Sequence, residues 1–192
     1  MKKRAASKLK KRRATARAAG RGARLKIVVS EKDIRKRVRD MAKQINRDYA
    51  GKTIHVVGIL EDCFVFMADL VRALNIPVVC SFVRSQVRDS NSGSVPMREI
   101  MYIPPVAAAG KELLIVQGVL QSGITLDHLC RTLLAQQPAS LRIATLVDKA
   151  EERKIDVPVD YVGFKLTGKF IVGNGLGYQE QYHHMPFLAR MT

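Results

Sequence analysis

The sequence predicts an α/β fold, a mostly parallel β-sheet flanked by helices. Three observations carry that prediction. From residue 53 onward, apolar segments of strand character alternate with segments of helical periodicity, the pattern of a parallel sheet covered by helices. One segment, ELLIVQGVL at 112–120, is apolar almost throughout, as expected of a strand buried on both faces. No apolar run reaches the roughly 18 to 20 residues that span a bilayer, so no membrane partner is expected.

Taken in order, Ser30-Glu31-Lys32-Asp33 reads as a helix start, with Ser30 as N-cap and Asp33 reaching back to it. Ile34, Val38, Met41 and Ile45 follow at spacings of four, three and four, which places them on one apolar stripe. TIHVVGIL (53–60) is the first strand of the alternation, CFVFMADLVRAL (63–74) an amphipathic helix, and PVVCSFV (77–83) a strand. Residues 84–97 are polar with Gly and Ser and read as a loop. REIMYI (98–103) is a short strand, 112–120 a central one, and ITLDHLCRTLLAQQ (124–137) a helix. SLRIATLVDK (140–149) and DYVGFKL (160–166) complete the strands. Ligands of such sheets bind beyond the carboxyl ends of the strands. The loops that begin at Glu61, Gln117 and Lys149 are therefore expected to converge on one pocket.

The charge is unevenly distributed. The net charge is +16, yet the first 30 residues hold twelve Lys and Arg and no acid, against 21 basic and 17 acidic residues in the remainder. Residues 1–26, MKKRAASKLKKRRATARAAGRGARLK, have two leucines and no aromatic. Such a segment cannot bury enough apolar surface to fold alone. The expected organisation is a disordered basic arm over 1–26 and one domain over 27–192. The arm suits the phosphate backbone of a nucleic acid, through Lys2, Lys3, Arg4, Lys8, Lys10, Lys11, Arg12, Arg13, Arg17, Arg21 and Arg24. Arg35, Arg39 and Lys43 on the first helix are candidates to extend that surface. DNA is favoured over RNA because the arm lacks aromatics for base stacking. A transit peptide and a merely solubilising tail are the competing readings. The three cysteines, Cys63, Cys80 and Cys130, are widely spaced, which fits reduced, buried thiols rather than a metal site. No metal and no cofactor are expected.

The segment LLIVQGVLQSGIT (113–125) ends in a tight turn whose hydroxyls and backbone amides suit a phosphate. With CFVFMADLVRAL, SLRIATLVDK and DYVGFKLTGKFIVGNGLGYQEQYHHMPFL, in that order along the chain, it resembles the bacterial hypoxanthine-guanine phosphoribosyltransferases over residues 25–192. The resemblance implies the type I phosphoribosyltransferase fold with a small C-terminal hood. It also implies a purine-nucleotide site in which Ser122, Gly123 and Thr125 hold the 5′-phosphate. Lys149 would hydrogen-bond the purine 6-oxo group, Phe170 would stack on the ring, and the Ile171 backbone would meet the ring edge.

Other positions depart from the family pattern. The acidic pair that binds ribose hydroxyls and magnesium falls on Gln117 and Gly118, and the proposed general base on Gln121. The basic-Gly pair of the pyrophosphate loop falls on Glu61 and Asp62, and the mobile-loop Ser-Tyr pair roughly on Val87 and Arg88. A metal-contacting Asp falls on Gly177 and a pyrophosphate-contacting Arg on His183. An amide has no useful basicity near neutral pH. The expectation is therefore a pseudoenzyme without catalytic residues: a cytoplasmic or nucleoid-associated regulator that binds DNA through its arm and senses a guanine nucleotide or alarmone. A homodimer or homotetramer is expected, as the family implies. The alternatives are a structural or ribosome-associated RNA-binding subunit, and an active purine phosphoribosyltransferase with an unusual site.

Overall fold

The computed structural model describes residues 24–88, 97–103, 106–168, 170–179 and 181–191. Among these, nine strands and three α-helices form two sheets. The large sheet has the order β4-β3-β2-β5-β6-β7. Its strands are β2 (Ile54–Leu60), β3 (Val78–Arg88), β4 (Met97–Ile103), β5 (Glu112–Leu120), β6 (Ser140–Asp148) and β7 (Tyr161–Lys165). Five of them run parallel, and β4 pairs antiparallel with β3 at one edge. The small sheet joins β1 (Leu25–Val29), β9 (Leu188–Met191) and β8 (Ile171–Val172) in antiparallel order. This is the predicted α/β architecture with its hood.

The first helix, α1 (Glu31–Asp48), starts where its cap demands: the Ser30 hydroxyl accepts from the Asp33 amide at 3.2 Å. Its stripe of Ile34, Val38, Met41 and Ile45 is buried. Arg37 donates from Nε to the carbonyls of Val162 and Gly163, at 3.0 and 3.1 Å, and so ties α1 to β7. The second helix, α2 (Phe64–Ala73), buries Phe66, Met67 and Leu70 on the same face of the sheet. The third, α3 (Ile124–Leu134), buries Leu126, Leu129 and Leu133 on the other face.

Two cores follow, one on each side of the sheet. Val56, Leu114 and Val116 point into the first; Val57, Leu113 and Ile115 point into the second. Successive side chains of a strand face opposite sides. That is why the central strands are apolar along most of their length. Tyr49, at the end of α1, donates its hydroxyl to the Leu113 carbonyl at 3.1 Å, and burial pushes that phenol up to about 12.

Three details differ from the sequence reading. β1 begins at Leu25, so Leu25 and Lys26 lie in a strand rather than in the arm. β3 runs to Arg88, through residues expected as loop, because its backbone continues to pair with β4 as far as Arg88 opposite Met97. Cys63 and Cys130 are buried as expected, but Cys80 is exposed. Burial pushes the thiols of Cys63 and Cys130 up to about 12 and about 11. Among the described residues, no helix is long and apolar enough to cross a membrane.

Candidate functional site

The carboxyl ends of β2, β5 and β6 open onto one side of the large sheet, and the loops after them meet the hood there. A cavity of about 210 Å³ lies at this junction. Asp62 lines it from the loop after β2, Val119 and Gln121 from the end of β5, and Lys149 from the end of β6. Phe170, Ile171, Leu176, Gly177 and Tyr178 close it from the hood. The predicted convergence of three loops is thus observed. A wider hollow of about 430 Å³ lies between α1, α2 and the hood, away from the strand ends, and shares His183 with the neighbourhood of the first cavity.

The turn between β5 and α3 is held open by Gly123. Its φ of +80° lies in the left-handed region, and a β-carbon there would stand 2.4 Å from the Ile155 carbonyl, so both conformation and space require glycine. The Ser122 carbonyl accepts from the amides of Lys154 and Ile155, each at 3.0 Å. The Lys149 amide donates to the Leu120 carbonyl at 3.0 Å. These bonds fix Ser122, Gly123 and Lys149 relative to one another. Gly123 itself offers no side chain to cap α3, and the Ser122 hydroxyl accepts from the Ile124 amide only at 3.4 Å; a helix start of this kind favours an anion.

Lys149 is 2% exposed and ion-pairs with Glu152. A lysine so buried carries a large desolvation cost unless it is paired. Its partner is a part-exposed carboxylate one turn further along the chain. Phe170 packs on Tyr178 with ring centroids 4.6 Å apart. Phe170 remains 44% exposed, which leaves an aromatic face for a ligand. Tyr178 was not anticipated; the signal was a second aromatic eight residues beyond Phe170 in the same hood.

The polar groups on the opposite side differ from what the motifs suggest. Glu61 turns outward and pairs with Arg84 of β3 at 2.6 Å. Asp62 alone turns into the cavity, where it accepts a hydrogen bond from the Gly177 amide. Burial raises its carboxyl above the ordinary carboxylate range; the Gly177 hydrogen bond and the neighbouring His183 pull it back in part. A β-carbon at Gly177 would stand 2.1 Å from His183 Nε2, so the imidazole occupies the space of an absent side chain. Similarly, a β-carbon at Gly118 would stand 2.3 Å from the Asp62 carbonyl oxygen. Gln117 donates from Nε2 to the Val119 carbonyl at 2.9 Å, while its Oε1 is buried with no partner in the fold.

Magnesium is the metal that the resemblance implies. The positions that would hold it carry an amide and two glycines, Gln117, Gly118 and Gly177. Among the described residues no three His, Cys, Asp or Glu side chains cluster closely enough to hold an ion. This donor set does not fit a cation clamped by the protein.

A family model described as the phosphoribosyl transferase domain matches residues 26–181. The hypoxanthine-guanine phosphoribosyltransferase of Dictyostelium discoideum is 37% identical over 169 residues, covering 86% of this chain and 94% of that protein. The hypoxanthine phosphoribosyltransferase of Salmonella typhimurium is 32% identical over 170 residues, covering 88% and 96%. A hypoxanthine-guanine phosphoribosyltransferase of Bacillus anthracis superposes with a TM-score of 0.78 at 33% identity, over 89% of this chain and all of that one.

These likenesses correct the functional expectations. The relatives are enzymes and the match runs through the whole site, so the pseudoenzyme reading is set aside. The physical reason is that the cavity does hold a carboxylate, Asp62. Glu61 and Asp62, which stand in place of the basic-Gly pair, do not both face the cavity: Glu61 pairs with Arg84, and Asp62 lines the cavity. DNA or RNA as partner, with transcription regulation, alarmone sensing and nucleoid association, is corrected on the same finding. Lys2, Lys3, Arg4, Lys8, Lys10, Lys11, Arg12, Arg13, Arg17 and Arg21 lie outside the described residues. Arg24 is exposed just before β1. Arg35, Arg39 and Lys43 are exposed on α1. There Arg35 pairs with Glu31 at 2.7 Å, and Lys43 lies 3.6 Å from Asp40. That face is of mixed charge and not a basic stripe.

Proposed function

Since the chain belongs to the phosphoribosyl transferase domain family, we propose that it is a purine phosphoribosyltransferase. It would transfer the phosphoribosyl group of phosphoribosyl pyrophosphate to a 6-oxopurine such as hypoxanthine or guanine. The observation that carries the reading is the cavity in which buried Lys149 and the exposed face of Phe170 meet the β5–α3 turn. Lys149 donates to the 6-oxo group, Phe170 stacks on the ring, and the Ile171 backbone meets its edge. Ser122, Gly123 and Thr125 hold the 5′-phosphate at the start of α3.

Base selectivity tests this reading. A lysine donor matches an oxo group and is mismatched to the 6-amino group of adenine, and a site built around one hydrogen-bonding partner rejects its mismatch by orders of magnitude. With phosphoribosyl pyrophosphate and magnesium supplied, chromatography should show nucleotide from hypoxanthine or guanine. Adenine should react at least about a hundredfold more slowly. Equal use of adenine would remove Lys149 from the assigned role.

A further inference from the structure

We propose that Asp62 is the proton acceptor of the transfer reaction, with His183 as a positioning residue that holds the carboxylate through the gap left by Gly177. The inference rests on the transferase reading above and identifies the group that completes it. The transfer needs a base: as the bond between C1′ and the purine nitrogen forms, the bond from C1′ to pyrophosphate oxygen breaks and its electron pair leaves with pyrophosphate. The proton on the purine ring nitrogen must then go to an acceptor. Gln121, at the rim of the cavity, is an amide and takes no proton near neutral pH.

Asp62 is the one carboxylate among the described residues that line this cavity, and it shares the cavity with Lys149 and Phe170, which place the purine. Its chain neighbour Glu61 is drawn off by Arg84. The carboxylate is anchored by the Gly177 amide, while the His183 ring lies where a Gly177 side chain would be. The two substitutions are thus spatially coupled: an acid enters on the β2 loop, and a side chain leaves the hood to make room for the imidazole beside it.

The ionisable groups around Asp62 are Glu61 and Cys63 on its own loop, His183 and Tyr178 on the hood, and Lys149 across the cavity. Of these, Glu61 raises the Asp62 carboxyl and His183 lowers it, while desolvation dominates upward. An acid raised in this way is better matched to accept a proton near neutral pH than an ordinary aspartate. The working form is the carboxylate. Activity should therefore rise with pH through an acidic limb placed above the ordinary carboxylate range.

The test is the pH profile of kcat/KM for hypoxanthine in the wild-type protein, Asp62→Asn and His183→Asn, with GMP affinity measured by calorimetry in each. Asp62→Asn should lose about a hundredfold or more in kcat and lose the acidic limb, with GMP affinity within about threefold of wild type, which shows an intact pocket. His183→Asn removes a neighbour that favours the carboxylate, so the limb should move to higher pH. An active wild-type protein whose Asp62→Asn variant keeps both rate and limb would overturn the role of Asp62 and leave the transferase reading standing. A wild-type protein that binds GMP but makes no nucleotide would overturn the transferase reading and this role with it.

Discussion

Lys149→Ala should lower kcat/KM for hypoxanthine by about a hundredfold or more. The lysine is 2% exposed and its ammonium pairs with Glu152. Removing it deletes the donor to the 6-oxo group and leaves a buried ligand oxygen unpaired in a site shielded from water. Loss of one such preorganised donor costs about 10² to 10³ in rate. The change should appear in KM as well as kcat, because the same bond holds the purine in the ground state. GMP affinity should fall in parallel, while the fold persists, since the aliphatic stem of Lys149 is replaced by a smaller apolar group. Steady-state kinetics with calorimetry checks it. Unchanged GMP affinity would mean that the purine sits elsewhere.

Gly118→Asp should be the most destabilising change at the site, although it restores an acid that the resemblance associates with catalysis. A β-carbon at 118 would meet the Asp62 carbonyl oxygen at 2.3 Å and Leu176 Cδ2 at 2.8 Å. The first contact is with backbone and cannot be relieved by a rotamer change. The loop after β2 must move, and with it the carboxylate of Asp62. Overpacking of this kind costs about 1–3 kcal/mol, which in a chain of this size lowers Tm by about 2–12 °C. Activity should fall rather than rise, because the introduced carboxylate displaces the one already in place. A thermal melt beside a turnover assay decides it. A variant as stable as the wild type and more active would show that Asp62 does not occupy the working position.

The same two residues show what the sequence could and could not convey. The strand ELLIVQGVL coincides with β5, Glu112–Leu120, because a strand buried on both faces is apolar at nearly every position. The cap at Ser30 and the stripe on α1 were legible for an equally local reason. The extension of β3 to Arg88 was not, since beyond Arg84, its last partner on β2, only backbone pairing to the edge strand β4 keeps residues 85–88 in a strand. β1 was missed because its partner, β9, lies at the far end of the chain.

At the site, the positions of Lys149, Phe170 and Gly123 could be read one by one, each on a motif that matches the family. Asp62 could not be read in that way. Its significance depends on the outward turn of Glu61 to Arg84 and on the gap at Gly177 that admits His183, and both are relations between segments distant in sequence. Reading the departures singly gave a catalytic site with its acids removed. Taken together in space, they give a site with one acid moved from the β5 loop to the β2 loop.

The most direct measurement is turnover by the wild-type protein. Full-length protein is mixed with hypoxanthine, magnesium and phosphoribosyl pyrophosphate, at enzyme concentrations high enough to observe a single turnover, and nucleotide and pyrophosphate are quantified together. The account predicts inosine monophosphate and pyrophosphate in equal amounts, with both lost in Lys149→Ala. No nucleotide after many hours, from a protein that still binds GMP, would contradict it.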